Sequence, residues 1–376
     1  MMPTRPHAGA VSGDAVPLVD IVLVTWNNRD QVPRCLARLA AADRTTFTID
    51  RIAIVDNAST DDSRPAAPVP GLPAPTHVAN DRNGGFAQAC NQGASGSRAD
   101  FIVFLNPDID VAPTSLAEAV AFLAAPAFER CAIAGLPLAN ARGVTQRTCG
   151  RFPTVATLLA QVTGASTMLP RLAPGFRLAE WPHDATRRVD YVSAACLIVR
   201  RGAFEAVGGF DPAFIVYFED IDLALRAREQ GWETWFLAAA PVQHGDGWAS
   251  GRQRPHRLAL AWWSRVVYAR KHFAPRHAAL IAAAVLGMAP IARMCQAGRR
   301  GSLRDIAGVI DAYRQFCRRL AADRRHRVDH YTQFDRYHRG RASTPPTAAA
   351  NPATATGGAD SLEPEPSSGV ASLSSR

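Results

Sequence analysis

The stretch FIVFLNPDID (101–110) decides how the chain is read. Five apolar residues, Phe101 to Leu105, run without a polar break into Asn106, Pro107 and Asp108, with Asp110 beyond. A continuous apolar run rich in β-branched and aromatic residues predicts a strand buried on both faces, as in parallel sheets. Such sheets bind ligands beyond the carboxyl ends of their strands. An amide and carboxylates gathered there suit a hard divalent cation, Mg2+ or Mn2+, that bridges to substrate phosphates. Capping of the next helix by Asp110 or Thr114 would use the same polar turn differently.

Outward from this strand the pattern repeats. VDIVLVT (19–25) and IAIV (52–55) are further apolar strands, and QVPRCLARLAAA (31–42) between them has helical spacing. GFAQACNQGASG (85–96) and SLAEAVAFLAA (115–125) predict helices, and CAIAG (131–135) a strand. VDYVSAACLIVRR (189–201) predicts one later strand, and DIDLALRAREQG (220–231) a helix closed by glycine. Alternating strands and helices imply an α/β fold with a mostly parallel central sheet covered on both faces.

Residues 1–17 carry no pattern, and 342–376 are Ala/Ser/Thr/Pro-rich with almost no large apolar side chains, so both read as disordered. The 376-residue chain has a net charge of +9, yet residues 252–341 alone hold 20 basic against 5 acidic side chains, leaving −6 elsewhere. The basic character therefore belongs to a helical extension at 256–341, behind a catalytic-type domain at 18–255. Within it AALIAAAVLGMAPIA (278–292) is apolar for 15 residues, short of the roughly 20 needed to span a bilayer. Pro290 is expected to interrupt its helix, which reads as buried or interfacial. Trp262, Trp263 and Tyr268 among arginines suggest a membrane-surface helix. Seven cysteines with no C-x-x-C pair and no secretory leader point to reduced thiols in a cytoplasmic setting.

Four clusters could carry chemistry. Asp56 follows a strand in IVDNASTDDS (54–63) and could accept from a ribose hydroxyl or base N–H, or build an Asx turn with Asn57. Asn83-Gly84-Gly85 precedes a helix like a phosphate-cradling turn. Glu219, Asp220 and Asp222 crowd a helix start after Tyr217-Phe218. Apolar walls there could shift one carboxyl toward a general base, while Asp222 pairs with Arg226. His244 follows the last strand-like run and leads a Gly-rich loop.

Taken in order, VTWNN (24–28), VDNASTDDS (55–63), NGGFAQACNQG (83–93), FLNPDI (104–109), GGFDPAFIVYFEDIDLALRAREQGW (208–232) and His244 resemble the family 2 glycosyltransferases, most closely the bacterial rhamnosyltransferase-like members. The resemblance spans about residues 18–275 and implies a GT-A fold with an inverting, metal-dependent transfer from a nucleotide-sugar donor. By the same resemblance Thr25, Asn27, Asp56, Asn57, Asn83, Gly85 and Asn106 belong to the donor site. Asp108 and His244 would hold the metal, and Asp220 with Glu219 would supply the base. Asn106 stands where many relatives have the first Asp of D-x-D, and Ala194 where many have Gly.

The implied donor is dTDP-L-rhamnose. The implied acceptor is a saccharide or a polyprenyl-diphosphate-linked saccharide used in cell-surface glycan synthesis, met at the cytoplasmic face of the membrane. A UDP-hexose donor, or a non-catalytic binder of nucleotide-sugar or glycan, are the alternatives. Nucleic acid is not an expected partner. A processive synthase would need transmembrane helices and a Q-x-x-R-W segment. A nicotinamide enzyme would need the glycine fingerprint after its first strand.

Overall fold

The computed structural model describes residues 15–61, 63, 68–140, 142–178, 180–244 and 254–325. The expected disordered lead and tail fall almost wholly outside them. In chain order the strands are β1 (Leu18–Thr25), β2 (Thr48–Asp56), β3 (Thr76–Ala79), β4 (Phe101–Leu105), β5 (Ile109–Asp110), β6 (Cys131–Gly135) and β7 (Leu138–Ala139). Then come β8 (Thr145–Gln146), β9 (Cys149–Gly150), β10 (Arg187–Val189), β11 (Tyr191–Val192), β12 (Cys196–Arg200), β13 (Glu233–Phe236) and β14 (Val242–His244). The α-helices are α1 (Gln31–Ala40), α2 (Phe86–Ala94), α3 (Ser115–Ala124), α4 (Val155–Val162), α5 (Ala165–Met168) and α6 (Arg201–Ala206). They continue with α7 (Glu219–Glu229), α8 (Arg254–His272), α9 (Pro275–Arg299) and α10 (Leu303–Arg325).

The main sheet has eight strands in the order β10-β13-β6-β12-β4-β1-β2-β3. β1, β2, β3 and β4 run parallel, as do β6 and β13, while β12 runs antiparallel between β4 and β6 and β10 antiparallel at the edge. Every residue of β4 and β6 is buried, as their apolar runs require. α1 turns Val32, Cys35, Leu36 and Leu39 onto one face of the sheet. α2 turns Ala87, Cys90 and Ala94 onto the other. This is the mostly parallel, doubly covered sheet that the alternation implies.

Two expectations change. The single strand over 189–201 is divided into β10, β11 and β12, because the 193–195 segment bends away. There the Ser193 N–H donates to the Thr148 carbonyl and the Asn106 N–H to the Ala195 carbonyl. Pro290 does not end its helix: α9 runs on to Arg299 with Pro290 buried inside it. Packing against α8 and α10 on both sides of the proline holds the helix together.

The basic C-terminal segment is docked rather than free. Trp262, Trp263 and Tyr268 are buried, so these aromatics do not form the membrane-facing stripe expected of them. Trp262 packs edge-on against Phe316 of α10, and Tyr268 against Phe218 at the start of α7. α9 divides lengthwise. Ile281, Val285 and Ala289 face the bundle, while Leu280, Met288 and Ile291 are 49%, 50% and 57% exposed. Its length and hydropathy alone would suffice to cross a bilayer, and a third of its most apolar window is buried in the fold. All seven cysteines are free.

One carboxylate joins the two parts. Asp222 of α7 is fully buried and pairs at 2.8 Å with Arg226, Lys271 and His272, the last two on α8. Burial pushes this carboxyl up, but Arg226, His272 and Lys271 outweigh it and hold it well below the usual carboxylate range. Its stabilising effect is therefore complete above the unfolded-state value and is lost as pH falls through the depressed one. Asp222→Asn leaves buried cations without their counter-charge and should cost about 3–5 kcal/mol. Urea unfolding at neutral pH reads this as a lowered midpoint, with the deficit shrinking at strongly acidic pH.

Candidate functional site

The parallel strands bring three expected site segments to one edge. Thr25 pairs with Asp56 in the β1–β2 register, and the pairing of Leu23 with Leu105 carries Thr25 level with the 106–108 turn. Thr25 is fully buried. Asp56 Oδ1 accepts from the Ser59 N–H and hydroxyl, the Asx turn that the sequence allows. The asparagines are engaged within the loops. Asn27, at φ 56°, accepts through Oδ1 from the Thr60 N–H, and its own N–H donates to Ser59 Oγ. Asn57 is buried, donates to the Gly85 carbonyl at 3.1 Å and accepts from Asn80 at 3.0 Å. Asn83 accepts from the Gly85 N–H. These side chains build the frame of a concave edge.

Gly85 has a packing role of its own. Its φ is 93°, and a Cβ there would sit 2.6 Å from the Ile215 carbonyl oxygen. The Phe86 N–H donates to that same carbonyl, so the first free N–H of α2 is answered by protein backbone. The loop before α7 is thus clasped by α2 on one side. On the other, Ser264 Oγ of α8 donates to the Val216 carbonyl. The clasped loop then passes through Tyr217 and Phe218, both at positive φ (68° and 70°), a strained conformation for consecutive aromatic residues. Burial of Phe218 between Phe176 and Tyr268 holds it there.

That turn delivers the acidic pair. Asp220 Oδ1 accepts from the Ile221 N–H at 2.8 Å and Oδ2 from the Ala194 N–H at 3.3 Å. Glu219 is only 7% exposed, and among the described residues its Oε2 has no hydrogen-bond partner. Burial, then the neighbouring Asp220 and Asp222 charges, push the Glu219 carboxyl well up. Burial also raises Asp220, opposed by the Ile221 and Ala194 N–H groups and by Arg177. Two adjacent carboxyls of this kind share charge unequally, with Glu219 the one that keeps its proton.

Asp220 and Glu219 open onto a cavity of about 1340 Å3 that also meets Asn106, Tyr191, Ser193 and Ala194. The Asn106 N–H binds the Ala195 carbonyl, and Ala194 binds Asp220, so a short backbone bridge joins the end of β4 to the acidic pair. Sequence reading missed the cavity's arginines, among them Arg177 and Arg265, because they come from a loop and from α8. An arginine within the apolar run WWSRVV (262–267) was the available signal.

Asp108 lies in the turn after β4 and is 8% exposed. β14 pairs with β5 so that His244 stands opposite Ile109, one residue from Asp108; the His244 side chain lies outside the described residues. Asp110 is held by Arg34, and Thr114 makes no side-chain cap to α3, so neither caps that helix. Among the described residues no group of three His, Cys, Asp or Glu side chains converges. A donor set of one buried carboxylate with few companions suits Mg2+ or Mn2+, which takes the rest of its shell from phosphate oxygens and water. It does not suit a closed structural zinc site.

With this geometry in hand, kinship is informative. Residues 20–137 match the family model Glycosyl transferase family 2. The chain is 26% identical over 270 residues to the N-acetylglucosaminyl-diphospho-decaprenol L-rhamnosyltransferase of Mycobacterium tuberculosis, covering 67% of this chain and 83% of that one. It is 31% identical over 185 residues to the O-antigen biosynthesis protein RfbC of Myxococcus xanthus, covering 47% of this chain and 13% of that one. A mannosyltransferase from Pyrobaculum calidifontis, solved with GDP-Man and Mn2+, aligns at a TM-score of 0.47 with 18% identity over 81% of this chain and 88% of that one. Residues 20–137 thus match a family 2 glycosyltransferase domain, and over two thirds of its length the chain is similar to a rhamnosyltransferase.

Proposed function

We propose that the protein transfers a sugar, L-rhamnose from dTDP-rhamnose, to a hydroxyl of a lipid-linked saccharide, with inversion at the anomeric carbon. The observation that carries this reading is the placement of Asp220. Its carboxylate meets a large cavity, oriented by two backbone N–H groups, one bridge away from the strand end that carries Asn106 and Asp108. The rhamnosyl donor and lipid-linked acceptor are drawn from the mycobacterial relative's activity.

On this reading Asp56 marks the nucleoside end, with Thr25 buried behind it and Asn27, Asn57, Asn83 and Gly85 fixing the loops that shape it. Asp108, with His244, would hold Mg2+ or Mn2+, whose charge offsets that gathering on the departing nucleoside diphosphate. Asp220 takes the proton of the acceptor hydroxyl as its oxygen bonds to the anomeric carbon and the bond to the diphosphate breaks. Glu219, protonated beside it, keeps a second negative charge out of the pocket. Phe86, Phe176 and Phe218 wall the cavity and limit water near the base.

Asp220→Asn removes the proton acceptor while keeping the shape. Turnover should fall by about 10²–10⁴-fold, while dTDP-rhamnose with Mn2+ still raises the melting temperature as in the wild type. Unchanged turnover would sink the base assignment. A donor panel in the same assay tests the sugar: a shift with UDP-hexoses and none with dTDP-rhamnose would replace the donor.

The raised Asp220 carboxyl gives the pH profile a sign. The base works only when ionised, so kcat should fall as pH drops, with the acid limb above the ordinary carboxylate range. Glu219→Gln keeps a neutral group beside Asp220 and should leave that limb in place.

Asp108→Asn should abolish the metal-dependent part of the donor-induced melting shift. A variant whose shift still depends on Mn2+ as the wild type's does would remove Asp108 from the metal site.

A further inference from the structure

The wall of the cavity that faces Asp220 is built largely from arginine. Arg177 comes from the loop before β10, Arg265 from α8, Arg293 and Arg300 from α9, and Arg304 from the start of α10. Among the described residues no salt bridge engages Arg265, Arg293 or Arg300. Arg265 donates to the Ala261 carbonyl of its own helix, and Arg293 to Gln296. Burial first, then the Arg293 and Arg177 charges, bring Arg265 down to about 10, and burial with Arg300 lowers Arg293. Like charges have been brought together at one cavity whose lining also holds Asp305, Glu219 and Asp220, and guanidinium groups outnumber carboxyls there, an arrangement that favours an anion.

An apolar groove adjoins this wall. A second hollow of about 360 Å3 lies between α9 and α10, lined mainly by apolar residues such as Leu286, Pro290, Met294 and Val309, with Arg314 at its border. Val309 borders both spaces, so the groove adjoins the arginine wall. Met288 and Ile291 of the same helix are exposed apolar residues as well.

Guanidinium groups suit phosphate oxygens through forked hydrogen bonds, and a dry groove suits an aliphatic chain. The two motifs side by side match one amphiphile, a diphosphate bonded to a long hydrocarbon. We propose that Arg265, Arg293 and Arg300 bind the diphosphate of a prenyl-diphosphate-linked acceptor, whose hydrocarbon leaves through the α9–α10 groove. The inference rests on reading the cavity as the acceptor side of a glycosyltransferase. The donor diphosphate is assigned elsewhere, to the β1, β2 and β4 strand ends. The C-terminal helices then act as an acceptor-recognition unit, with the sugar carried past Ser193 and Tyr191 toward Asp220.

Calorimetric titration of the full chain tests this with farnesyl diphosphate, farnesol and dTDP. Farnesyl diphosphate should bind, farnesol should bind at least tenfold more weakly, and the double variant Arg293→Gln/Arg300→Gln should lose at least tenfold in farnesyl diphosphate affinity. Its dTDP affinity and melting temperature should stay at wild-type values. Arg299→Gln, on the same helix but away from the cavity, should change neither titration. The proposal is overturned if the double variant keeps its farnesyl diphosphate affinity, if Arg299→Gln weakens it equally, or if dTDP affinity falls in parallel, which would give the cluster to the donor. Phosphatidylglycerol vesicles that depend on Arg293 and Arg300, with no farnesyl diphosphate binding, would reassign it to the membrane surface. Failure of dTDP-rhamnose to bind or react defeats the rhamnosyl reading on its own, and leaves the titrations with farnesyl diphosphate to be judged separately.

Discussion

The buried Asp222 carboxylate sets the geometry on which the rest of the molecule depends. It gathers Arg226 from its own helix and Lys271 and His272 from α8, with no exposure of its own to water. Arg226 reaches on to the Val207 and Gly209 carbonyls, and Lys271, the chain's sole lysine, also meets Asp211. Buried charges are costly to desolvate, so this knot tolerates few arrangements other than the one that satisfies all of its members. By fixing α7 against α8 it fixes Glu219 and Asp220, three and two residues earlier. It also sets the arginine-bearing helices across the cavity from the sheet.

The two walls of the cavity do opposite things. One, made from Asn106 at the end of β4 and from the 146–148 and 191–195 segments, presents backbone and mostly oxygen-bearing side chains. The other, made from helices beyond the sheet, presents guanidinium groups and apolar surface. Between them runs the 215–218 loop, clasped by Phe86 and by Ser264, and carried through two residues of positive φ. Strain of about 1–3 kcal/mol per residue is tolerable there only because neighbouring contacts over-determine the turn. The arrangement shows why aromatic residues precede the acidic pair: Phe218 is the anchor that keeps the turn from relaxing.

Much of this was legible in the residues. The strands over 19–25, 52–55, 101–105 and 131–135 follow from unbroken apolar runs, and α1 and α7 from spacing and from the glycine at 231, which has φ 84°. Asp222 could be placed with Arg226 because four residues separate them on a helix. The 189–201 segment was harder. Its apolar content reads as one strand, but Ser193 to Ala195 turn aside to bind Thr148 and Asn106, partners far away in sequence. The aromatic stripe of α8 misled for a related reason. Tryptophan and tyrosine among arginines describe a membrane interface and a helix packing face equally well, and only Phe316 and Phe218 decide between them. The arginine wall was illegible because it is assembled from four elements, each contributing one or two side chains.

The antiparallel strand β12 has a consequence for how the chain is made. It lies at the centre of the sheet, between β4 and β6, yet it is synthesised about sixty residues after β6 and almost a hundred after β4. Until Cys196 to Arg200 arrive, those two strands each present a fully apolar edge with no neighbour on the central side. Open edges of that kind template pairing with other chains. The core of the sheet is therefore sealed late, by a non-local insertion that slows folding. Residues 20–137, although they match the family model, would by themselves be a sheet split down its middle. The gap in the sheet closes only when the strand leading into α6 has been made.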